Sequence, residues 1–138
     1  MIAYLDSSVI LRIVLGQRGA LREWRSVRRG VASALVEVEC LRTLDRLRVA
    51  HGVPDADLAL RREAVLRLLE SIENVEIGRS ILQRAAQPLP TALGTLDAIH
   101  LATALAWQES AETPLVMATH DEALAIAARA YGLRVAGV

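Results

Sequence analysis

Residues Leu115–Ala136 read LVMATHDEALAIAARAYGLRVA. A short apolar run, Leu115–Ala118, has the length and make-up of a buried strand. Glu122–Tyr131 reads as a helix, Gly132 as its stop, and Arg134–Ala136 as a second short strand. A strand, a helix and another strand in such close succession form the repeating unit of a parallel sheet. Upstream the alternation continues. Thr95–Ser110 reads as a helix with Thr95 as its cap, Pro88–Gly94 as a loop, Ser80–Ala86 as a short helix and Val75–Ile77 as a strand. Asp55–Ile72 and Leu35–Val49 read as longer helices separated by Gly52 and Pro54, with Asp55 or Asp57 near the cap of the later one. Val31–Ser33 reads as a strand, Ala20–Arg29 as a helix closed by Gly30, and Ile2–Leu5 as the opening strand, followed by a helix from Asp6 to about Leu15. The expected fold class is therefore α/β, a three-layer α/β/α arrangement around a central, mainly parallel sheet, with residues 1–138 forming one domain.

Length and composition agree with that expectation. At 138 residues the chain can bury most of its apolar surface, and 53% hydrophobic content excludes a disordered chain. Formal net charge is zero, yet residues 1–48 carry an excess of arginine and residues 49–138 an excess of acid. Such asymmetry points weakly to a polyanion or an acidic partner on one side. Every one of the 16 basic residues is arginine. That excludes mechanisms that need a lysine. A response-regulator receiver and a haloacid-dehalogenase-like phosphatase share the size and the acids at strand ends, but both require one. Ser8 also stands where the phosphatase needs a second aspartate. The single Cys40 rules out an internal disulfide and suits a reducing cytosol. There is no run of membrane-spanning length and no basic-then-apolar leader, so the expected location is the cytoplasm and the expected partners do not include a membrane.

Four carboxylates sit inside or at the edge of apolar segments: Asp6 in YLDSS, Glu39 in the helix SALVEVECLRTL, Asp97 in GTLDAIHLATA and Asp121 in MATHDEAL. Each has a structural excuse. Asp6 can cap a helix, Asp97 lies in a first helical turn, and Thr119 with Glu122 has the capping-box pattern before Asp121. As a set they are harder to excuse. Asp6 and Asp121 fall at carboxyl ends of strands, where open parallel sheets bind ligands. Two like charges about 4 Å apart repel by roughly 4 kcal/mol at an effective dielectric near 20. A helix dipole returns only about 0.3–1 kcal/mol. A hard divalent cation such as Mg²⁺ or Mn²⁺ would reverse that balance. In the long helix, periodicity does not choose between Glu37 and Glu39, and either can pair with a nearby arginine.

The segments YLDSSVILR, SALVEVECLRTL, GTLDAIHLATAL and MATHDEALAIAARAYGLRV, in that order, resemble the PIN-domain family, and within it the VapC-type toxins of toxin–antitoxin modules. The resemblance spans essentially the whole chain. It implies Asp6, Glu39, Asp97 and Asp121 as the acidic set that binds Mg²⁺ or Mn²⁺, with Ser7 and Thr119 as accompanying hydroxyls. It also selects Glu39 over Glu37. The extra acid that some members carry after the last aspartate is missing, Leu124 standing nearby, which leaves the number of ions at one or two. The implied activity is a metal-dependent endoribonuclease, with RNA as substrate and a small antitoxin protein as partner, and it leaves a homodimer open. The competing readings are an RNA-processing PIN nuclease without an antitoxin and a catalytically idle PIN-fold binding module.

The remaining candidates are weaker. Arg18, Arg22, Arg25 and Arg29 fall on one stripe of the expected second helix, as an RNA-backbone track or as a solvated face. His100 is expected to be packed or hydrogen-bonded. His120 lies beside Asp121, within reach of a substrate there. Trp24 and Trp107 read as core or interface residues, not as base-stacking platforms. There is no Gly-rich phosphate loop and no cysteine–histidine zinc pattern.

Overall fold

The computed structural model describes residues Met1–Val138. Five strands, β1 (Ile2–Leu5), β2 (Arg29–Ser33), β3 (Ile72–Val75), β4 (Val116–Ala118) and β5 (Arg134–Ala136), form one sheet in the order β3-β2-β1-β4-β5. Every pairing is parallel. The helices are α1 (Ser7–Val14), α2 (Leu35–His51), α3 (Asp55–Glu70), α4 (Arg79–Ala85), α5 (Thr95–Ala111) and α6 (Glu122–Ala130). The fold is α/β as expected, with a wholly parallel sheet. None of these helices is long and apolar enough to cross a membrane.

Alternation along the strands divides the core into two layers. Ala3 and Leu5 of β1, with Ala32, Val116 and Ala118, face a cluster with Val9, Ile10, Val36, Cys40, Leu44 and Val65 from α1, α2 and α3. Tyr4, Val31 and Met117 point the other way, to Leu101, Leu105, Leu124 and Ala128 of α5 and α6. The chain first builds the sheet outward from β1 through β2 to β3, then crosses to the far side of β1 for β4 and β5. β1 and β4 are thus the neighbours at which the winding changes direction, the place where such sheets open a crevice beyond their carboxyl ends.

Several local expectations need correction. Ala20–Arg29 is not a helix: only Arg22–Ser26 makes a short 3₁₀ turn, anchored by buried Leu21, and Arg29 and Gly30 belong to β2. Gly30 stops no helix. A Cβ there would sit 3.1 Å from both Ile72 Cγ1 and Leu5 Cδ1, so glycine makes room for Ile72 and Leu5 to pack across the strand. The pairing of Gly30 with Ile72 also explains why α3 ends at Glu70 and why β3 spans Ile72–Val75 instead of Val75–Ile77. Strand pairing and burial of Ile72 override the helical pattern. With the second helix gone, the four arginines no longer form one helical stripe: Arg22 and Arg25 lie in the 3₁₀ turn, and Arg29 lies in β2. The cap of α5 is Gly94, not Thr95, and Pro54 takes the cap position of α3, with Asp55 and Asp57 in its first turn. Asp121 itself caps α6, so Thr119 and Glu122 form no capping box.

Arg29 instead joins an ion pair at the amino-terminal side of the sheet, where its guanidinium meets Glu73 at 2.6 Å and lies 5.4 Å from the centre of the Trp107 ring. Trp107 Nε1 donates to Glu73 at 2.9 Å. The Trp107 hydrogen bond first, and Arg29 second, hold the Glu73 carboxyl below its ordinary 4.5. A depressed folded-state pKa contributes stability that is present above the unfolded value and lost as pH falls through the folded one. Glu73 is 38% exposed, so solvent screening keeps the contribution near about 0.5 kcal/mol. Glu73→Gln should therefore lower the urea midpoint slightly at pH 7, and the gap should narrow in acid below pH 4.5. A gap of equal size at both ends of that range would mean the ion pair adds nothing.

Candidate active site

The carboxyl-terminal edge of the sheet gathers the four acids from four different elements. Asp6 follows β1 directly and is 4% exposed. Its Oδ1 accepts from the Val9 amide at 3.1 Å, capping α1, and from the Ser8 hydroxyl at 2.5 Å. Its Oδ2 accepts from the Thr119 hydroxyl. Thr119 Oγ1 in turn accepts from the Asp121 amide at 3.0 Å, and Ser8 Oγ from the His120 amide at 3.0 Å. Two hydroxyls thereby stitch the end of β1 to the end of β4. Asp121 Oδ1 caps α6 by accepting from the Leu124 amide at 2.8 Å. The helix-cap reading of Asp6 is correct, and Asp121 takes the cap of α6 that the sequence pattern had given to Thr119.

Asp97 stands in the first turn of α5 and accepts no hydrogen bond from the chain. Burial raises its pKa above the ordinary 3.8, and Asp121 raises it further, with smaller contributions from Asp6 and Glu39 and an opposing one from His100. No arginine acts on it. Asp97 thus lies near enough to Asp121, and more weakly to Asp6 and Glu39, for their charges to bear on it. Glu39 is the member from α2. Its Oε2 lies 2.6 Å from His100 Nε2, and its side chain is 13% exposed. Glu37 is exposed on another face beside Val38 and Leu41. Glu39 pairs with neither arginine expected for it: Arg42 meets Asp45, and Arg46 meets Thr43.

The gathering is looser than a finished ion cage. No three of the acids, histidines and cysteine stand close enough to enclose a metal ion as they are. The donor chemistry still fits a hard divalent cation: carboxylate and hydroxyl oxygens, mutual repulsion felt at Asp97, and no guanidinium to neutralise it. Asp97, Asp6, Asp121 and Glu39 would hold such an ion.

Sequence reading missed three contributors. Ser8, not Ser7, supports Asp6, and only the three-dimensional position of His120 reveals its second contact. Tyr4 and Ser33 both reach His100 from the strands below. The strand alternation that sends Tyr4 toward the α5 layer was the available signal. His120 does not point at the acids; its Nδ1 bonds the Gly137 carbonyl at 2.7 Å. It lines a recess of about 480 Å³ together with Arg12, Arg22 and Leu21. Cys40 is buried beside Ser7, and burial with the charge of Glu39 and Asp6 pushes its thiol up to about 12, so it offers no thiolate. Trp107 is buried and Trp24 packs against the core, as expected.

Residues 3–130 match the family described as PIN domain. Ribonuclease VapC46 of Mycobacterium tuberculosis is 33% identical over 135 residues, covering 96% of this chain and 94% of that protein. Ribonuclease VapC35 of the same species is 36% identical over 138 residues, covering 96% and 93%. Among solved structures, VapBC-1 from nontypeable Haemophilus influenzae aligns with a TM-score of 0.63 at 17% identity, covering 98% of this chain and 96% of that one. A toxin–antitoxin complex from Klebsiella pneumoniae aligns at 0.59 and 16%, covering 87% and 88%. At those identities the two structures speak for the fold.

The raised Asp97 pKa sets a direction for pH. A group raised in the folded state contributes stability that is present below the unfolded value and lost as pH rises through the folded one. Without metal, Asp97→Asn should therefore melt above wild type at neutral pH, with the gap closing below pH 3.8. Asp121→Asn should lower the Asp97 titration, read by carboxyl ¹³C NMR, part of the way to its ordinary value. An Asp97 titration indifferent to Asp121 would mean that the two acids do not share the crevice.

Proposed function

Because the chain belongs to the PIN-domain family, and its relatives along nearly the full length are VapC ribonucleases, we propose that it is a metal-dependent endoribonuclease and the toxin of a toxin–antitoxin module. The observation that carries the reading is the placing of four acids at the carboxyl-terminal edge of the sheet, Asp6 and Asp121 joined through Thr119 and none of the four paired with an arginine. Asp6, Glu39, Asp97 and Asp121 are the ligands in this reading. When bound, Mg²⁺ or Mn²⁺ acidifies water and offsets the charge that grows on the phosphodiester in the transition state.

The chain's own groups supply the rest. Thr119 and Ser8 lock Asp6 and the loop before α6, so the crevice is set before substrate arrives. Ser7, at the first position of α1 and not engaged with Asp6, is available to orient the attacking water or a substrate oxygen. Arg12 and Arg22, lining the recess beside His120 on the flank of the same loop, supply charge for the RNA backbone. With Cys40 held as a thiol, hydrolysis by water is the chemistry the residues favour over a covalent intermediate.

Purified protein should cut RNA only with added Mg²⁺ or Mn²⁺, and Asp97→Asn or Asp6→Asn should lower the rate by orders of magnitude. Glu39→Gln should impair cleavage while Glu37→Gln stays near wild type; the opposite pattern would put the wrong face of α2 in the site. Full activity in excess EDTA would exclude the metal reading.

The antitoxin follows from the same crevice. A cluster of carboxylates is a natural socket for an arginine or lysine on an inserted peptide. Expression of the chain alone should arrest growth, and co-expression of a small neighbouring gene should relieve it. Harmless expression of an active enzyme, with no small protein co-purifying from the native operon, would favour a free-standing RNA-processing nuclease.

A further inference from the structure

His100 is 1% exposed and holds polar groups at both ends of its ring. Nδ1 lies 2.8 Å from the Tyr4 hydroxyl and 3.4 Å from Ser33 Oγ, and Nε2 lies 2.6 Å from Glu39 Oε2. Tyr4 and Ser33 are completely buried. With the Tyr4 hydroxyl donating to Nδ1, the ring proton is assigned to Nε2, and Nε2–H donates to the Glu39 carboxylate. The row starts on β1 in the sheet, passes through α5 on one face and ends on α2, which packs on the other. It crosses the sheet at the edge where the crevice opens.

Packing alone does not call for a histidine here. An apolar residue would fill the same space without a buried ring to satisfy. The arrangement has the logic of a metal site's outer shell, in which a hydrogen-bonded partner fixes the direction of a ligating group. We propose that Tyr4 and His100 are positioning residues: the Tyr4–His100 row clamps Glu39 Oε2 so that Oε1, which has no partner in the chain, is presented to the divalent ion. The inference rests on the metal-dependent reading above.

The test uses three variants of the full chain: His100→Asn, His100→Gln and Tyr4→Phe. An asparagine amide reaches about as far as Nδ1 and loses Glu39; a glutamine amide reaches about as far as Nε2 and can still donate to it. Mn²⁺ affinity is read by calorimetry without RNA, alongside thermal melting of the metal-free proteins. His100→Asn should weaken Mn²⁺ binding about 10–100-fold. His100→Gln should recover most of that loss, and Tyr4→Phe should weaken binding by a smaller factor. If His100→Asn does not fold, near-wild-type affinity in the glutamine variant together with a loss in the phenylalanine variant supports the relay. Folded variants that all bind Mn²⁺ like wild type, or asparagine and glutamine variants equally weakened, would overturn the relay while leaving the nuclease reading intact. A wild-type protein that takes up no Mn²⁺ would overturn both.

Discussion

The hydroxyl of Thr119 donates to Asp6 across 113 residues of sequence, and the crevice depends on that join. It exists because β1 and β4 are paired neighbours, with Leu5 opposite Ala118. The pairing is itself a result of the winding order, which sends the chain back past β1 after β3 is laid down. Each strand end then releases one acid and starts one helix. Asp6 caps α1 and Asp121 caps α6, so the backbone amides of two helices partly meet the charge that the site concentrates. Glu39 is met by His100. Asp97 is the one acid left without a donor, and there the repulsion registers.

This division of labour explains how the chain folds around a cluster that opposes folding. Caps contribute about 1 kcal/mol each. Hydrogen bonds to charged groups contribute about 1.5–3 kcal/mol. Those terms offset the repulsion at Asp6, Asp121 and Glu39 locally, so the structure tolerates the residual cost at a single, half-buried residue. Arginine could neutralise the cluster, and the chain has many, but none forms an ion pair with these four acids, and those that do pair meet other carboxylates: Arg29 with Glu73, Arg42 and Arg48 with Asp45, Arg67 with Glu63, Arg84 with Glu109.

Much of this was legible in the residues. Alternating apolar runs and helices gave the layers, and the acids at strand ends gave the edge where chemistry could sit. The failures share a cause. Gly30 looks like a helix stop, but its role is to let Ile72 and Leu5 approach, a contact between segments that no local pattern contains. The same pairing dissolved a plausible stripe of arginines. Thr119 and Glu122 satisfy a capping motif, yet the nearer acceptor for Thr119 was Asp6 on a distant strand. Helical spacing left Glu37 and Glu39 equivalent. His100 separates them in the structure, and it does so from another helix. Local chemistry announces elements, whereas partners that arrive from across the sheet are invisible to it.

The unequal support of the four acids also bears on how such a gene decays. Changing Asp6 removes an acceptor from an α1 amide and from two hydroxyls, and changing Asp121 removes the cap of α6. Loss of either carboxylate disturbs structure, apart from the chemistry proposed for it. Asp97 carries no such second duty. A lineage under selection to silence this protein, while keeping it folded and able to engage other molecules, has its least costly route through that one codon. Silent descendants of this chain would then keep Asp6 and Asp121 as structural residues after the crevice had lost its purpose, and the acids that persist longest would be the caps.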